Sequence, residues 1–297
     1  MVAYDLLALG AAACWACGAI LAAAPLRHLG AFAFTRWRML LVALMLWSVA
    51  LSLGSWNSLS PSTWGVMALS GLIGIFFGDT ALFAAVNRLG TRRAGVLFAT
   101  HALFSAGLGF WVLGERMSLQ AGLGVALTLT GVMIAIVWGR RKEDQHAWEV
   151  SHGHLGVGVA LGLLAAVCQA VSSLIAKPVM GPGVDPIAAS AVRVSVACAA
   201  HFVLLFLRVP ASRAHQPATL AVLAQTGFNG FLSMGVGMTL VLLALRHGDV
   251  GMVAILTSVS PVLVLPLLWW RLRRAPAIGA WVGAMLTVLG TALVLLR

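Results

Sequence analysis

The chain is poor in charged residues, which make up only 9% of it, while 61% of its residues are hydrophobic. A soluble domain carries about 25% charged residues, so this composition cannot cover a protein with a water-facing surface. The formal charge of +11 does not indicate nucleic-acid binding, because the basic residues lie singly or in short groups between long apolar runs. Basic residues in such places set membrane topology. We therefore expect an integral membrane protein with no nucleic-acid partner.

The chain also has few cysteines and no nucleotide-binding motif. All four cysteines fall inside apolar segments, so no disulfide framework is implied. Cys14 and Cys17 have C-x-x-C spacing, but polar neighbours are missing, and we interpret them as small packing residues. The sequence contains no G-x-x-x-x-G-K-[ST], no H-E-x-x-H and no G-x-S-x-G. An ATP-driven pump and a soluble enzyme are therefore disfavoured, and we expect no cofactor and no metal.

Apolar stretches long enough to cross a hydrocarbon core of about 30 Å recur along the chain. Because lipid cannot satisfy open backbone groups, and the stretches are too long for barrel strands, we expect helices. The predicted spans are 4–24, 31–53, 63–87, 92–113, 119–138, 155–177, 185–207, 217–245, 249–270 and 276–296.

The two halves of the chain resemble each other. Residues 161–176 match 7–22 with a cysteine in step, and residues 219–230 match 63–74 with two glycines in step. Each half holds an odd number of spans, so the second half must enter the membrane from the opposite side. Inverted repeats are common among secondary transporters, which bind their substrate between the halves near the midplane.

The sequence thus predicts an all-α integral membrane fold with ten transmembrane helices as two inverted five-helix repeats. The first repeat is 1–138, the second is 155–297, and the polar stretch 139–154 links them. Three histidines of the linker offer a possible metal site, although a solvated linker is the simpler interpretation. Residues 22–24 resemble a signal-peptidase site, but no basic residue precedes the apolar stretch, so we expect a retained span.

Charged or titratable groups inside a span are costly, so each is a functional candidate. Asp79 lies deep in the third predicted span, after Phe-Phe-Gly. Its carboxylate either binds a cation or proton, or neutralises an arginine of another helix. His101 lies near the middle of the fourth predicted span. It either exchanges a proton near neutral pH or is a hydrogen-bonded packing residue.

Arginines occupy similar places in the two halves. Arg36 and Arg38 lie about one turn inside the second predicted span, and Arg193 lies at the corresponding place in the seventh. We expect Arg36 or Arg38 to extend its side chain to the interface. Arg193 lies deeper and needs a partner, either a carboxylate such as Asp79 or an anionic group of a substrate. Arg36 and Arg193 are therefore candidates for an ion pair or for anion binding.

Four uncharged residues are further substrate-binding candidates. Trp15 and Gln169 share one repeat position, so a cavity on the pseudo-twofold axis would contact both. An indole offers a stacking surface, and an amide donates and accepts hydrogen bonds. Asn229 and Ser258 are weaker polar candidates. Packing or helix–helix hydrogen bonding is the alternative for each.

Two stretches resemble a known family. Residues 113–122 read Leu-Gly-Glu-Arg-Met-Ser-Leu-Gln-Ala-Gly and lead to Leu-Thr-Gly-Val at 129–132. They resemble the L-G-E…G…G-V signature of EamA-type carriers in the drug/metabolite transporter superfamily. Residues 256–262, Leu-Thr-Ser-Val-Ser-Pro-Val, resemble the proline-containing ninth helix of that family.

The resemblance implies export or exchange of a small metabolite, such as an amino acid or amine, by alternating access across the cytoplasmic (inner) membrane. It also implies a cavity lined by the first, third, fourth, sixth, eighth and ninth spans, within reach of all six substrate-binding candidates. Members often have cytoplasmic termini, whereas the Lys and Arg distribution of this chain places both termini outside. The expected partners are a small-molecule substrate and the lipid bilayer, with the protein a monomer or a weak homodimer.

The chain departs from a symmetric pattern at Glu115, whose repeat counterpart is Arg273. We expect Glu115 to cap a helix end or to pair with a basic residue rather than to contact substrate. Two other functions stay open. A lipid flippase would place arginines such as Arg36 and Arg193 at a groove open to lipid, and a membrane enzyme would use Asp79 and His101 as an acid/base pair.

Overall fold

The computed structural model describes residues 2–115, 118–138, 154–181, 183–272 and 277–295, which form helices and their connections. Two of the three linker histidines, at positions 146 and 152, lie outside the described residues, as does Arg273. The described residues contain no strand, so the all-α class is confirmed for this part of the chain. The α-helices are α1 (Val2–Leu29), α2 (Ala31–Ser52), α3 (Pro61–Gly71), α4 (Thr80–Ala99), α5 (His101–Leu113), α6 (Leu119–Trp138), α7 (Leu155–Ala176), α8 (Pro186–Phe206), α9 (Leu220–Gly230), α10 (Thr239–Leu245), α11 (Val250–Thr257), α12 (Ser260–Leu272) and α13 (Ile278–Leu295).

By length and composition, seven helices of the described chain are long and apolar enough to cross a membrane, and three further apolar helices are shorter. The longest of the seven, Pro61–Gly90, runs through α3 and most of α4. It ends at Gly90, whose φ of 80° is a backbone conformation that glycine adopts more readily than other residues, and the helix is interrupted there. The protein is therefore a multi-pass membrane protein.

One π-helix interrupts each half at a matching place. The first, π1 (Leu72–Asp79), joins α3 to α4, and the second, π2 (Phe231–Met238), joins α9 to α10. A π-turn shifts the backbone hydrogen-bond pattern and occurs often at functional sites. Both halves therefore carry the same backbone irregularity at the same place in the repeat.

A break in the next helix is repeated as well. Thr100 separates α4 from α5, and its hydroxyl donates to Leu97 O at 2.6 Å. Ser258 ends α11 shortly before α12, and its hydroxyl donates to Ile255 O at 2.7 Å. A hydroxyl that binds a carbonyl of its own preceding turn bends a helix. The two breaks thus have the same local cause.

Helix contacts obey a pseudo-twofold relation. Two helices pack on their own counterparts, α2 on α8 and α6 on α13. Helix α1 packs along α9, π2 and α10, and α7 packs in the same manner along α3, π1 and α4. These contacts between the halves are therefore returned by their counterparts, as a twofold axis requires.

Glycines allow α6 and α13 to approach closely. A Cβ atom at Gly131 would lie 2.6 Å from the carbonyl oxygen of Gly283, and one at Gly290 would lie 2.6 Å from that of Gly124. Small residues of this kind hold helices together in lipid, where no hydrophobic force drives their association. The reciprocal pair shows that the pseudo-twofold relation extends to individual backbone contacts.

We predict that Gly131→Ala lowers the stability of the protein by about 1–3 kcal/mol, because the added methyl group must push α6 and α13 apart. Gly122→Ala in the same helix is the control, since a Cβ there meets no atom within 4 Å. It should leave stability unchanged or slightly higher, as alanine favours a helix more than glycine does. Thermal unfolding in detergent measures both variants, and equal unfolding temperatures would contradict the prediction.

Candidate functional site

Asp79 forms a buried ion pair with Arg38. The Nη2 atom of Arg38 lies 2.7 Å from Oδ2 of Asp79, which is the last residue of π1. The guanidinium carbon of Arg38 also lies 4.9 Å from the ring centroid of Phe83, within the range of a cation–π contact. Of the two interpretations for Asp79, this geometry supports the neutralisation of an arginine.

Arg193 is the repeat counterpart of Arg38, since each occupies the same position counted from the start of α8 or α2. It is only 1% exposed, and its Nη2 donates to the Ser172 hydroxyl at 2.7 Å. Its charge interacts with that of Asp79. Among the described residues Asp79 is the only carboxylate whose charge acts on both arginines. The two cations therefore share one anion, and the three side chains carry a net positive charge.

Close backbone packing brings Arg193 to this cluster. A Cβ atom at Gly71 would lie 2.5 Å from the Cα atom of Arg193, and one at Gly74 would lie 2.6 Å from Cβ of Ser172. Ser70 and Ser172 also exchange hydrogen bonds, each hydroxyl donating to the other residue's carbonyl oxygen at 2.8 and 2.9 Å. Helices α3, α7 and α8 thus meet at the buried charges.

Arg36 lies apart from the cluster. Its Nη1 donates to the Ser212 carbonyl oxygen at 2.7 Å. Arg36 and Arg38 are both buried. Arg36 thus reaches the connection between α8 and α9, which contains Ser212, whereas Arg38 turns inward to Asp79.

Trp15 and Asn229 lie at one helix interface. The indole Nε1 of Trp15 donates to the Ser233 carbonyl oxygen in π2 at 3.0 Å. One turn along α1, the Gly18 carbonyl oxygen accepts from Asn229 Nδ2 at 2.7 Å. These bonds are helix–helix contacts. The Trp15 side chain is half-buried, and the Asn229 Oδ1 atom has no hydrogen-bond partner in the described chain.

Gln169 lies beside the charged cluster. Its neighbour Cys168 has its Cβ atom 3.1 Å from where a Cβ on Gly78 would be, so α7 touches π1 next to Asp79. The same packing recurs in the other half, where Cβ of Cys14 lies 3.2 Å from a Cβ placed on Gly237. Gln169 is 5% exposed, and its amide makes no hydrogen bond with any described residue. Gln169 therefore lies between Cys168, which contacts π1 at Gly78, and Ser172, which binds Arg193 one helical turn further along α7.

His101 and Ser258 lie at the helix breaks rather than at the charges. His101 is buried, its ring centroid lies 5.0 Å from that of Phe98, and its Nδ1 has no partner in the described chain. The Ser258 hydroxyl is used within its own helix. The structure thus brings together Asp79, Arg193 and Gln169, groups Trp15 with Asn229, and leaves Arg36, His101 and Ser258 separate.

Two residues near the buried charges were not predicted from the sequence. Ser172 bridges Arg193 to Ser70, and its repeat counterpart is a glycine, so the repeat alone gave no signal. His201 is fully buried in α8, and its Nε2 lies 3.0 Å from the Thr80 hydroxyl, next to Asp79 in sequence. A histidine inside an apolar span was a usable signal for the second residue.

Glu115 connects the two halves. Its Oε1 accepts from Val250 N at 2.7 Å, and its Oε2 accepts from Gly251 N at 3.2 Å. The residue before this helix, Asp249, does not cap it through its own side chain. The expected capping role of Glu115 is therefore confirmed, and the capped helix, α11, belongs to the opposite half.

The fold and the buried polar groups define a multi-pass membrane protein of two repeated halves. The profile of the EamA-like transporter family matches residues 2–137 and again residues 156–296. The chain belongs to this family of transporters, which confirms the resemblance seen in the sequence.

Other comparisons add the fold alone. One solved crystal structure of a protein is 18% identical in sequence to this chain and matches it with a TM-score of 0.76. The match covers 98% of this chain and 96% of the other chain. At that identity the likeness extends to the arrangement of helices and not to a substrate. Comparison with curated proteins gave no match.

We predict that Asp79→Asn lowers the stability of the protein by about 3–5 kcal/mol, because it leaves two buried arginines without a carboxylate. The double variant Asp79→Asn with Arg38→Gln removes one of these cations together with the anion and should recover part of the loss. A double-mutant cycle of chemical unfolding in detergent measures the coupling. Strictly additive effects of the two substitutions would contradict the ion pair.

Proposed function

We propose that the protein is a secondary transporter that moves a small metabolite across the cytoplasmic (inner) membrane by alternating access. In this proposal ten transmembrane helices form two inverted five-helix repeats, and transport is export or exchange. Membership in a transporter family and the lack of an ATP-binding motif in the sequence support it. The energy then comes from an ion gradient or from a counter-substrate.

The observation that carries the proposal is the pairing of irregular helices. The π-helices π1 and π2, and the breaks at Thr100 and Ser258, repeat in both halves. Irregular backbone at membrane depth is tolerated where it is buried in protein or lines a cavity. In transporters built from inverted repeats, discontinuous helices surround the substrate near the midplane.

The polar groups around π1 support a metabolite that both donates and accepts hydrogen bonds. Asp79 binds Arg38 through Oδ2, and its side chain remains 13% exposed. The Gln169 amide has no partner among described residues, and Arg193 Nε is likewise unpaired in the described chain. An amino acid, whose ammonium and carboxylate groups match an acceptor and a cation, fits this set better than a simple cation, which the net positive charge would repel.

Trp15, which shares its repeat position with Gln169, completes the proposed site beside π2. Its indole N–H is held by Ser233, which fixes the ring and leaves a face for stacking against a substrate. His101, Asn229 and Ser258 remain proposed contacts from the remaining cavity helices. The burial of Arg36 and Arg193 within protein ranks a lipid flippase second, because that function needs arginines beside a groove open to lipid.

We predict that a screen of purified protein against amino acids, amines and organic acids finds stabilising compounds among the amino acids. A ligand present at a hundred times its Kd stabilises the folded state by about 2.7 kcal/mol, which thermal unfolding detects. The same compound should exchange across proteoliposome membranes. Stabilisation by phospholipid headgroups alone would favour the flippase instead.

The contribution of Trp15 can be separated from general stability. Trp15→Ala should weaken binding of the compound found in the screen by about two- to twelvefold, as expected when an aromatic contact of about 0.5–1.5 kcal/mol is lost. Trp111→Ala is the matched control, since this indole is 83% exposed on the outer surface. An unaltered affinity in Trp15→Ala would assign Trp15 to helix packing.

A further inference from the structure

Glu115 makes a contact that joins α5 of the first half to α11 of the second. Its two carboxylate oxygens accept the backbone N–H groups of Val250 and Gly251, which open α11. The first N–H groups of a helix have no partner within it, and its N-terminus carries partial positive charge. A carboxylate from another helix therefore stabilises the contact only while the two helices stay together.

Helices α5 and α11 converge at the membrane face that holds Glu115. Near this end, a Cβ atom at Gly251 would lie 3.0 Å from the Cα atom and 3.4 Å from the Cβ atom of Ala106. The continuations of these two helices toward the other face, α4 and α12, form no comparably close pair among the described residues. The two halves are therefore in close contact through α5 and α11 on the Glu115 face, and they make no comparably close contact through α4 and α12 on the opposite face.

The repeat register gives the opposite face a different chemistry. The counterpart of Glu115 is Arg273, and the counterparts of Val250 and Gly251 are Arg92 and Arg93. The same contact, formed on the other face, would bring an arginine to the start of a helix that itself begins with two arginines. Cations at a helix N-terminus are unfavourable, and like charges repel.

We infer that Glu115 is a gating residue that stabilises the conformation closed on its own face, and that the opposite conformation has no equivalent contact. This inference rests on the proposed alternating access. Glu115 sets the ratio of the two conformations without touching the substrate. Loss of a capping carboxylate shifts such an equilibrium on the order of tenfold.

A disulfide between α5 and α11 reports the closed conformation directly. The spacing of the Cβ atoms of Ala106 and Gly251 is close to that of a disulfide, so Ala106→Cys with Gly251→Cys should crosslink on mild oxidation. The native cysteines are first replaced by alanine at Cys14, Cys17, Cys168 and Cys198. The crosslinking rate is then compared with and without Glu115→Gln, in liposomes and without substrate.

We expect Glu115→Gln to slow crosslinking several-fold. The matched control is Asp185→Asn, because Asp185 caps its own helix α8 by accepting from Ile187 N at 2.9 Å and Ala188 N at 3.0 Å. This control removes a carboxylate cap without touching the contact between the halves, and it should leave the rate unchanged. An equal crosslinking rate with and without Glu115→Gln, or equal slowing by both substitutions, would overturn the inference.

Hydrogen exchange gives a second measurement in the protein with its native cysteines. The amides of Val250 and Gly251 should exchange faster in Glu115→Gln, and those of Ile187 and Ala188 should not. Unchanged exchange at α11 would overturn the inference even if the double-cysteine variant did not fold. Because neither measurement needs a substrate, failure of the gating role and failure of the proposed transport are distinguishable.

Discussion

The burial of two arginines against a single carboxylate is the constraint around which the helices are arranged. Lipid and protein interior both make an isolated guanidinium group costly, so Arg38 and Arg193 must reach Asp79 or a hydroxyl group. This requirement fixes the relative positions of α2, π1 and α8. Helix α7 is held in the same place because its Ser172 accepts a hydrogen bond from Arg193. Gly71, at the end of α3, is needed because only a backbone without a side chain allows Arg193 this close.

A symmetric frame thus carries an asymmetric set of charges. The paired π-helices, the paired hydroxyl-bent breaks and the reciprocal glycines of α6 and α13 follow the pseudo-twofold relation. Asp79 has no acidic counterpart, since the repeat places no carboxylate in π2. The electrostatic field at the centre therefore belongs to one half, although both halves build the scaffold around it.

The sequence predicted the helical class, the family and the capping role of Glu115, because apolar length and short motifs are local properties of a chain. It did not predict the partner of Arg38. The position of Arg38 along its span does not reveal which way the side chain points. A side chain extended to the membrane interface would fit the same sequence, but in the structure Arg38 turns to Asp79. The π-helices have no sequence signature strong enough to find. The substrate contacts of Trp15, Gln169, His101, Asn229 and Ser258 stay predictions.

The two π-helices differ in one contact to a neighbouring helix. In π2 the carbonyl oxygen of Ser233 is tied to the Trp15 indole, whereas the residue at the same repeat position beside π1 is Gln169, which makes no such bond in the described chain. A ligand that bridged Gln169 and π1 would supply in the first half the link that Trp15 already provides to π2. Its binding would therefore make the polar contacts of the two π-helices more alike.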